Sequence, residues 1–254
     1  MIVGAVSDIG LRREDNQDSM FASSDEEFPL FIVADGMGGH NAGDIASFMA
    51  VEGIVKYLKN YYDKLNSVKN IKTLIREAVE HVNKEIYLES FEVPEYYGMG
   101  TTITLAYIYK SKVFIGHVGD SRAYFIHNNE IKQITEDHTL VNELIKNGSI
   151  TPAEAINHPQ KNMITRAIGT SSNIEMDFYT IDIRKEDIFI LCSDGLSNMV
   201  GEDNILEIVN KYNNCMNEIC NSLVELAKTN GGKDNITVIG IKFDDEVLIW
   251  LVQY

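Results

Sequence analysis

Apolar and polar positions along the chain change their period in a regular order. Strands are expected at about 2–7, 18–23 and 29–35, with the turn-prone Ser23-Ser24-Asp25-Glu26-Glu27 between the last two. Two helices follow. The first covers about 42–62, and the second is marked by Ile71, Leu74, Ile75, Ala78, Val82 and Ile86 at helical spacing. In Thr102-Ile103-Thr104-Leu105-Ala106-Tyr107-Ile108-Tyr109 larger residues alternate with smaller ones, the pattern of a half-buried strand. Lys110-Ser111-Lys112 then turns the chain into 113–118, Gly119-Asp120 leads to 121–127, and Asn128-Asn129 leads to 130–134. Hairpins this close together require an antiparallel sheet rather than a doubly wound one.

Residues 137–172 break the pattern, with short helical pieces at 137–146 and 152–157 set in polar loop. This is the most lid-like stretch of the chain. Strands near 174–182 and 187–193, helices near 202–212 and 215–229, and a strand at 235–243 complete the order. No internal repeat or Pro/Ser-rich linker divides it. The expected fold is α+β: a four-layer α-β-β-α sandwich of two mainly antiparallel sheets flanked by helix pairs. It forms one domain over 1–243, followed by a short tail at 244–254.

Composition narrows the partners. The 254 residues are 44% hydrophobic and 24% charged, as in ordinary globular proteins. A formal net charge of -16 argues against nucleic acid and against an anionic membrane surface. The start, Met1-Ile2-Val3-Gly4-Ala5-Val6-Ser7-Asp8, has no basic leader, and no apolar run nears the ~18 residues of a membrane-spanning helix. Val247-Leu248-Ile249-Trp250-Leu251-Val252 is apolar but too short to span. Cys192, Cys215 and Cys220 make no disulfide framework, which fits a cytoplasmic location. Cys192 ends a strand, as a phosphatase nucleophile can, but the position six residues on is Asn198 rather than an arginine, so it reads as core.

The candidate chemistry lies at strand ends. Leu30-Phe31-Ile32-Val33-Ala34-Asp35-Gly36, Val113-Phe114-Ile115-Gly116-His117-Val118-Gly119-Asp120-Ser121 and Ile188-Phe189-Ile190-Leu191-Cys192-Ser193-Asp194-Gly195 each run apolar into a small residue, an aspartate and a turn. Asp234 stands where a loop enters the last strand. One Asp-Gly pair is ordinary turn chemistry. Repetition points further, because converging carboxylates repel one another and a hard divalent cation relieves that repulsion.

Gly10-Leu11-Arg12-Arg13-Glu14-Asp15-Asn16-Gln17-Asp18, Asp35-Gly36-Met37-Gly38-Gly39-His40, Gly98-Met99-Gly100-Thr101-Thr102, Val118-Gly119-Asp120-Ser121-Arg122, Ser193-Asp194-Gly195-Leu196 and Gly232-Lys233-Asp234-Asn235-Ile236-Thr237 follow in that order. Together they resemble the type-2C metal-dependent protein phosphatase (PPM) family in its bacterial form, from Ser7 to Phe243. The resemblance implies Mn²⁺ or Mg²⁺ as cofactor. Asp35 would bridge two core ions, with the Gly36 carbonyl on one of them. Asp194 and Asp234 would complete one ion, Asp18 would support the second largely through water, and Asp120 would hold a third, weaker ion. Arg13, rather than Arg12, matches the phosphate clamp. The reaction implied is hydrolysis of phosphoserine and phosphothreonine by direct attack of a metal-bridging hydroxide, with no phosphoenzyme.

The chain departs from the family at two places. Met37 stands where many eukaryotic relatives have a histidine proposed as general acid, leaving His40 as the candidate. Gln17 replaces a common glutamate. Residues 137–172 fall where the family carries its variable flap. Phosphorylated proteins and an opposing Ser/Thr kinase are the implied partners of a monomeric enzyme. A catalytically silent phosphoprotein-binding relative is the alternative; it would be expected to lack a metal aspartate or the arginine, and all are present.

Overall fold

The computed structural model describes residues 1–23, 25, 27–38, 42–212 and 215–244. Strand β1 (Ile2–Asp8) pairs with β11 (Ile236–Lys242), far along the chain. With β10 (Ile188–Cys192), β7 (Arg122–His127) and β8 (Glu130–Gln133) they form a five-stranded sheet in the order β1-β11-β10-β7-β8. The second sheet contains β2 (Asp18–Ala22), β3 (Leu30–Met37), β5 (Ile103–Tyr109), β6 (Lys112–Val118) and β9 (Asp177–Asp182), in the order β2-β3-β5-β6-β9. The two-residue β4 (Gly100–Thr101) pairs with the end of β3. All these pairings are antiparallel.

Strand parity builds the layers. Leu30, Ile32 and Ala34 face a core shared with α1 (Ala42–Asn60) and α2 (Val68–Glu92). Phe31 and Val33, one position off, join the core between the sheets with Phe189, Leu191, Ile239 and Ile241. On the other sheet, Ile188, Ile190 and Cys192 face α6 (Glu202–Tyr212) and α7 (Met216–Thr229). The result is the expected α-β-β-α stack.

Some boundaries shift for local reasons. The helix expected from 137 begins at Leu140 as α3 (Leu140–Lys146), because Asp137 is held by Arg122 and the Thr139 side chain caps the helix by accepting from the Asn142 amide. The strand expected near 174 begins at Asp177. The piece at 152–157 is α4 (Pro152–Ile156), closed by a capping box between Thr151 and Glu154. Among the elements not expected are β4 and α5 (Asp194–Ser197), the latter a single turn that starts on Asp194. Among the described residues no helix is long and apolar enough to cross a membrane.

Candidate metal and phosphate site

The register of β2 against β3 sets Asp18 directly opposite Asp35. Like charges so placed cost stability in a sheet. β3 is pinned there on both sides. The Asp35 amide donates to Thr102 Oγ1 at 2.9 Å, Thr101 Oγ1 donates to the Asp35 carbonyl at 3.0 Å, and the Gly36 amide donates to the Gln17 carbonyl at 3.0 Å. Gly36 is required by space, since a Cβ there would stand 2.0 Å from the Gly43 carbonyl oxygen.

The other sheet brings its aspartates to the same end. Gly195 lies so close to the strand-entry loop that a Cβ would be 1.9 Å from the Asn235 carbonyl oxygen, which holds Asp194 beside Asp234. Arg13 Nη2 donates to Asp234 Oδ2 at 2.8 Å. The Asn235 side chain ties the N-terminal motif down, accepting from the Gln17 amide at 2.9 Å and donating to the carbonyls of Ile9 and Asp15 at 3.0 Å. Ser193 Oγ donates to Asp18 Oδ2 at 2.7 Å and accepts from the Thr237 amide at 2.9 Å. Asp120 follows Gly119, whose φ of +110° leaves no room for a side chain against Thr102.

Burial and mutual repulsion raise these carboxyls. Burial, then the charges of Asp194 and Asp234, pushes Asp18 up to about 7. Burial, then Asp194 and Asp137, pushes Asp120 up to about 8. Asp35 is raised well above the carboxylate range by burial and by the charges of Asp18, Asp194, Asp120 and Asp234. Asp194 is raised by burial and by the charge of Asp234, against which its proximity to Asp35 and the charge of Arg13 act in the lowering sense. Asp18 Oδ1, Asp120 Oδ1 and Asp194 Oδ1 are buried without any hydrogen-bond partner.

Among the described residues, no three acidic, histidine or cysteine side chains close on one point as a finished coordination shell would. The donor set nonetheless fits hard divalent ions: it consists of carboxylate oxygens, several lack a proton donor, and their charges reach one another. A cavity of about 140 Å³ opens beside Asp120 and Asp194, with Arg122, Asp137, Lys161 and Asn198 among its lining.

The fold therefore gathers Arg13, Asp18, Asp35, Gly36, Asp120, Asp194 and Asp234 at one end of the sandwich. His40 and residues 245–254, with most of the apolar tail, lie outside the described residues. Cys192 is buried, and burial pushes its thiol up to about 12, consistent with a core role. Sequence reasoning missed the parts played by Ser193, Asn235 and Asn198; Asn198 Nδ2 donates to Asp194 Oδ2 at 2.9 Å. Ser193 and Asn235 adjoin Asp194 and Asp234 in sequence, the one signal that could have marked them.

The protein phosphatase 2C family model matches residues 12–227. The chain is 41% identical over 240 residues to the serine/threonine phosphatase Stp of Listeria monocytogenes, covering 94% of each. Among solved structures, the Mycobacterium tuberculosis serine/threonine phosphatase PstP/Ppp superposes with a TM-score of 0.85 at 35% identity, covering 95% of this chain and 98% of that one. The catalytic domain of PstP in complex with two manganese ions superposes at 0.82 with 34% identity, covering 96% of this chain and 98% of that one. With strand-end aspartates, fold and sequence in agreement along nearly its full length, the chain belongs to the protein phosphatase 2C family.

Proposed function

We propose that the chain hydrolyses phosphoserine and phosphothreonine in proteins, using two Mn²⁺ or Mg²⁺ ions held by Asp35, the Gly36 carbonyl, Asp194 and Asp234, with Asp18 in support. The observation that carries this reading is the set of buried carboxylates raised by one another, three of them with an oxygen that no protein group satisfies. Asp120 is the proposed ligand of a third ion. When bound, such ions neutralise charge on the phosphate and lower the pKa of water to near neutrality.

The remaining work falls to the chain's own groups. Arg13 is half exposed at the rim, and the Asp234 bond occupies one of its nitrogens. Its other donors are left for a phosphate, in a planar fork that matches two phosphate oxygens. The Asp234 bond, first, raises the guanidinium further and fixes its direction. Ser193 and Asn235 set the lateral position of Asp18 and of the N-terminal motif, so the clamp and the carboxylates keep their spacing. The serine or threonine alkoxide leaving the phosphate needs a proton, and His40 is the proposed donor. A phosphatase of this kind depends on a Ser/Thr kinase for its substrates, which makes such a kinase its opponent.

Phosphate release from a phosphothreonine peptide, measured with Mn²⁺, with Mg²⁺ and with EDTA beside Asp194→Ala, tests the proposal. Release should require the metal and fall on the order of a thousandfold in the variant. Folded wild-type protein that releases no phosphate with any divalent ion would support the silent phosphoprotein-binding alternative instead.

A further inference from the structure

The two helical layers treat their solvent faces differently. Among the described residues, α6 and α7 expose no large apolar side chain. The α1/α2 layer and the turn after it expose Phe48 (61%), Leu88 (59%), Phe91 (61%) and Tyr97 (77%). Scattered apolar surface is ordinary, but contiguous apolar surface with a polar rim marks an interaction site. Phe91 stands edge-on between Tyr87, at 4.9 Å between ring centroids, and Tyr97, at 6.5 Å, so the rings form a platform rather than isolated side chains. α1 and α2 meet closely at Gly53, where a Cβ would lie 2.5 Å from Val82 Cγ1. Beside that contact runs a groove of about 330 Å³ lined by Phe48, Glu52, Tyr57, His81 and Glu85 among others. Leu88, three residues beyond Glu85, continues the same helix face.

Lys56 lines the groove and Lys84 precedes Glu85, but the ring platform beyond them is acidic throughout. From 85 to 97 the chain carries Glu85, Glu89, Glu92 and Glu95 and no Lys, Arg or His. Acids at a helix C-terminus oppose the macrodipole, and the last turn of α2 holds no base to offset them. Among the described residues, Glu89, Glu92 and Glu95 make no ion pair, and Glu85 pairs with His81 alone, at 3.4 Å. A local choice that costs stability without compensation inside the chain is expected where an outside group supplies it. The platform also stands at the catalytic end: Tyr97 is followed by Gly98, Met99 and β4, which pairs with Gly36 and Met37.

We propose that this face docks a basic segment of a partner protein, its apolar or aromatic anchor seated among Phe48, Leu88, Phe91 and Tyr97. Its lysines or arginines pair with the surrounding glutamates and lie over the ring faces. The opposite end of α2 carries Lys69, Lys72 and Arg76, so a second copy of the chain is the competing occupant.

Fluorescence anisotropy with a labelled amphipathic Leu/Lys peptide as the probe, and a Leu/Glu peptide as its counterpart, tests the proposal. The Leu/Lys peptide should bind and the Leu/Glu peptide should not. Leu88→Ser/Phe91→Ser and Glu85→Lys/Glu92→Lys should each weaken binding at least about tenfold, while Glu207→Lys/Glu218→Lys on the other helical layer leaves it within about threefold. Thermal unfolding verifies that every variant folds. No binding, or equal loss in the remote charge reversal, overturns the proposal. A dimer in sedimentation velocity that Phe91→Ser dissociates overturns it in favour of the second copy.

Discussion

Asp18 Oδ2 accepts from Ser193 Oγ at 2.7 Å, and the same hydroxyl accepts from the Thr237 amide at 2.9 Å, so one side chain joins a carboxylate of one sheet to two strands of the other. Removing it deprives the Asp18 carboxylate of its 2.7 Å donor, leaves only the weaker hydrogen bond of Thr237 and frees it to turn. Ser193→Ala should lower Mn²⁺ affinity by about tenfold, as loss of a group orienting a ligand commonly does. Calorimetric titration with Mn²⁺ reads this directly, and unchanged affinity would remove Ser193 from the site. The aspartates themselves are legible in the sequence, because a carboxylate ending an apolar strand is unusual enough to notice once it recurs. Ser193 and Asn235 are not, because each acts on a group far along the chain: Ser193 on Asp18, and Asn235 on Ile9, Asp15 and Gln17. That pairing depends on how two sheets stack, which no local pattern encodes.

At the level of elements, alternation was legible in the sequence at 102–109, whereas 30–34 is apolar without a break, and only the stacking of the layers divides Leu30, Ile32 and Ala34 from Phe31 and Val33 between two cores. α5 was not readable: four residues are too few for a helical period, and its start on Asp194 reads equally well as a turn. Its placement rests on Gly195, packed against the Asn235 carbonyl where a Cβ would stand at 1.9 Å. Gly195→Ala must push α5 away from the loop before β11, at a cost of about 1–3 kcal/mol by overpacking. The same displacement separates Asp194 from Asp234. Urea unfolding should show the loss, and Mn²⁺ titration should show weakened binding in the fraction that remains folded. A variant of full stability and full affinity would mean that the contact relaxes without moving the aspartates.

Across the whole molecule, buried ionisable groups of opposite tendency make stability depend on pH. His117 is fully buried between Thr104 Oγ1 and the Glu136 carbonyl, and burial, then His138, lowers its pKa from 6.5 to about 3. The unfolded chain therefore takes up this proton first, and stability is lost as pH falls below about 6.5 until the folded pKa is reached. From pH 7 to pH 5 the cost is about 2 kcal/mol. The raised carboxyls act in the opposite sense, so the histidine contribution is the difference between wild type and His117→Gln. Between pH 7 and pH 5 wild type should lose more, or gain less, stability to urea than the variant by about 2 kcal/mol, and identical changes would refute the assignment. The carboxylate cluster itself makes the larger claim, that the fold accepts repulsion in order to hold cations. Melting temperatures of wild type and Asp35→Asn, with EDTA and with Mn²⁺, test this most directly. Without metal, Asp35→Asn should melt several degrees higher than wild type, at roughly 2–4 °C per kcal/mol for a chain of this size, because the cost of burying an acid among other carboxyls is gone. Mn²⁺ at about a hundredfold over its Kd should stabilise wild type by about 2.7 kcal/mol per site and leave the variant nearly unmoved. A wild type indifferent to Mn²⁺, or a variant that responds equally, would contradict the account.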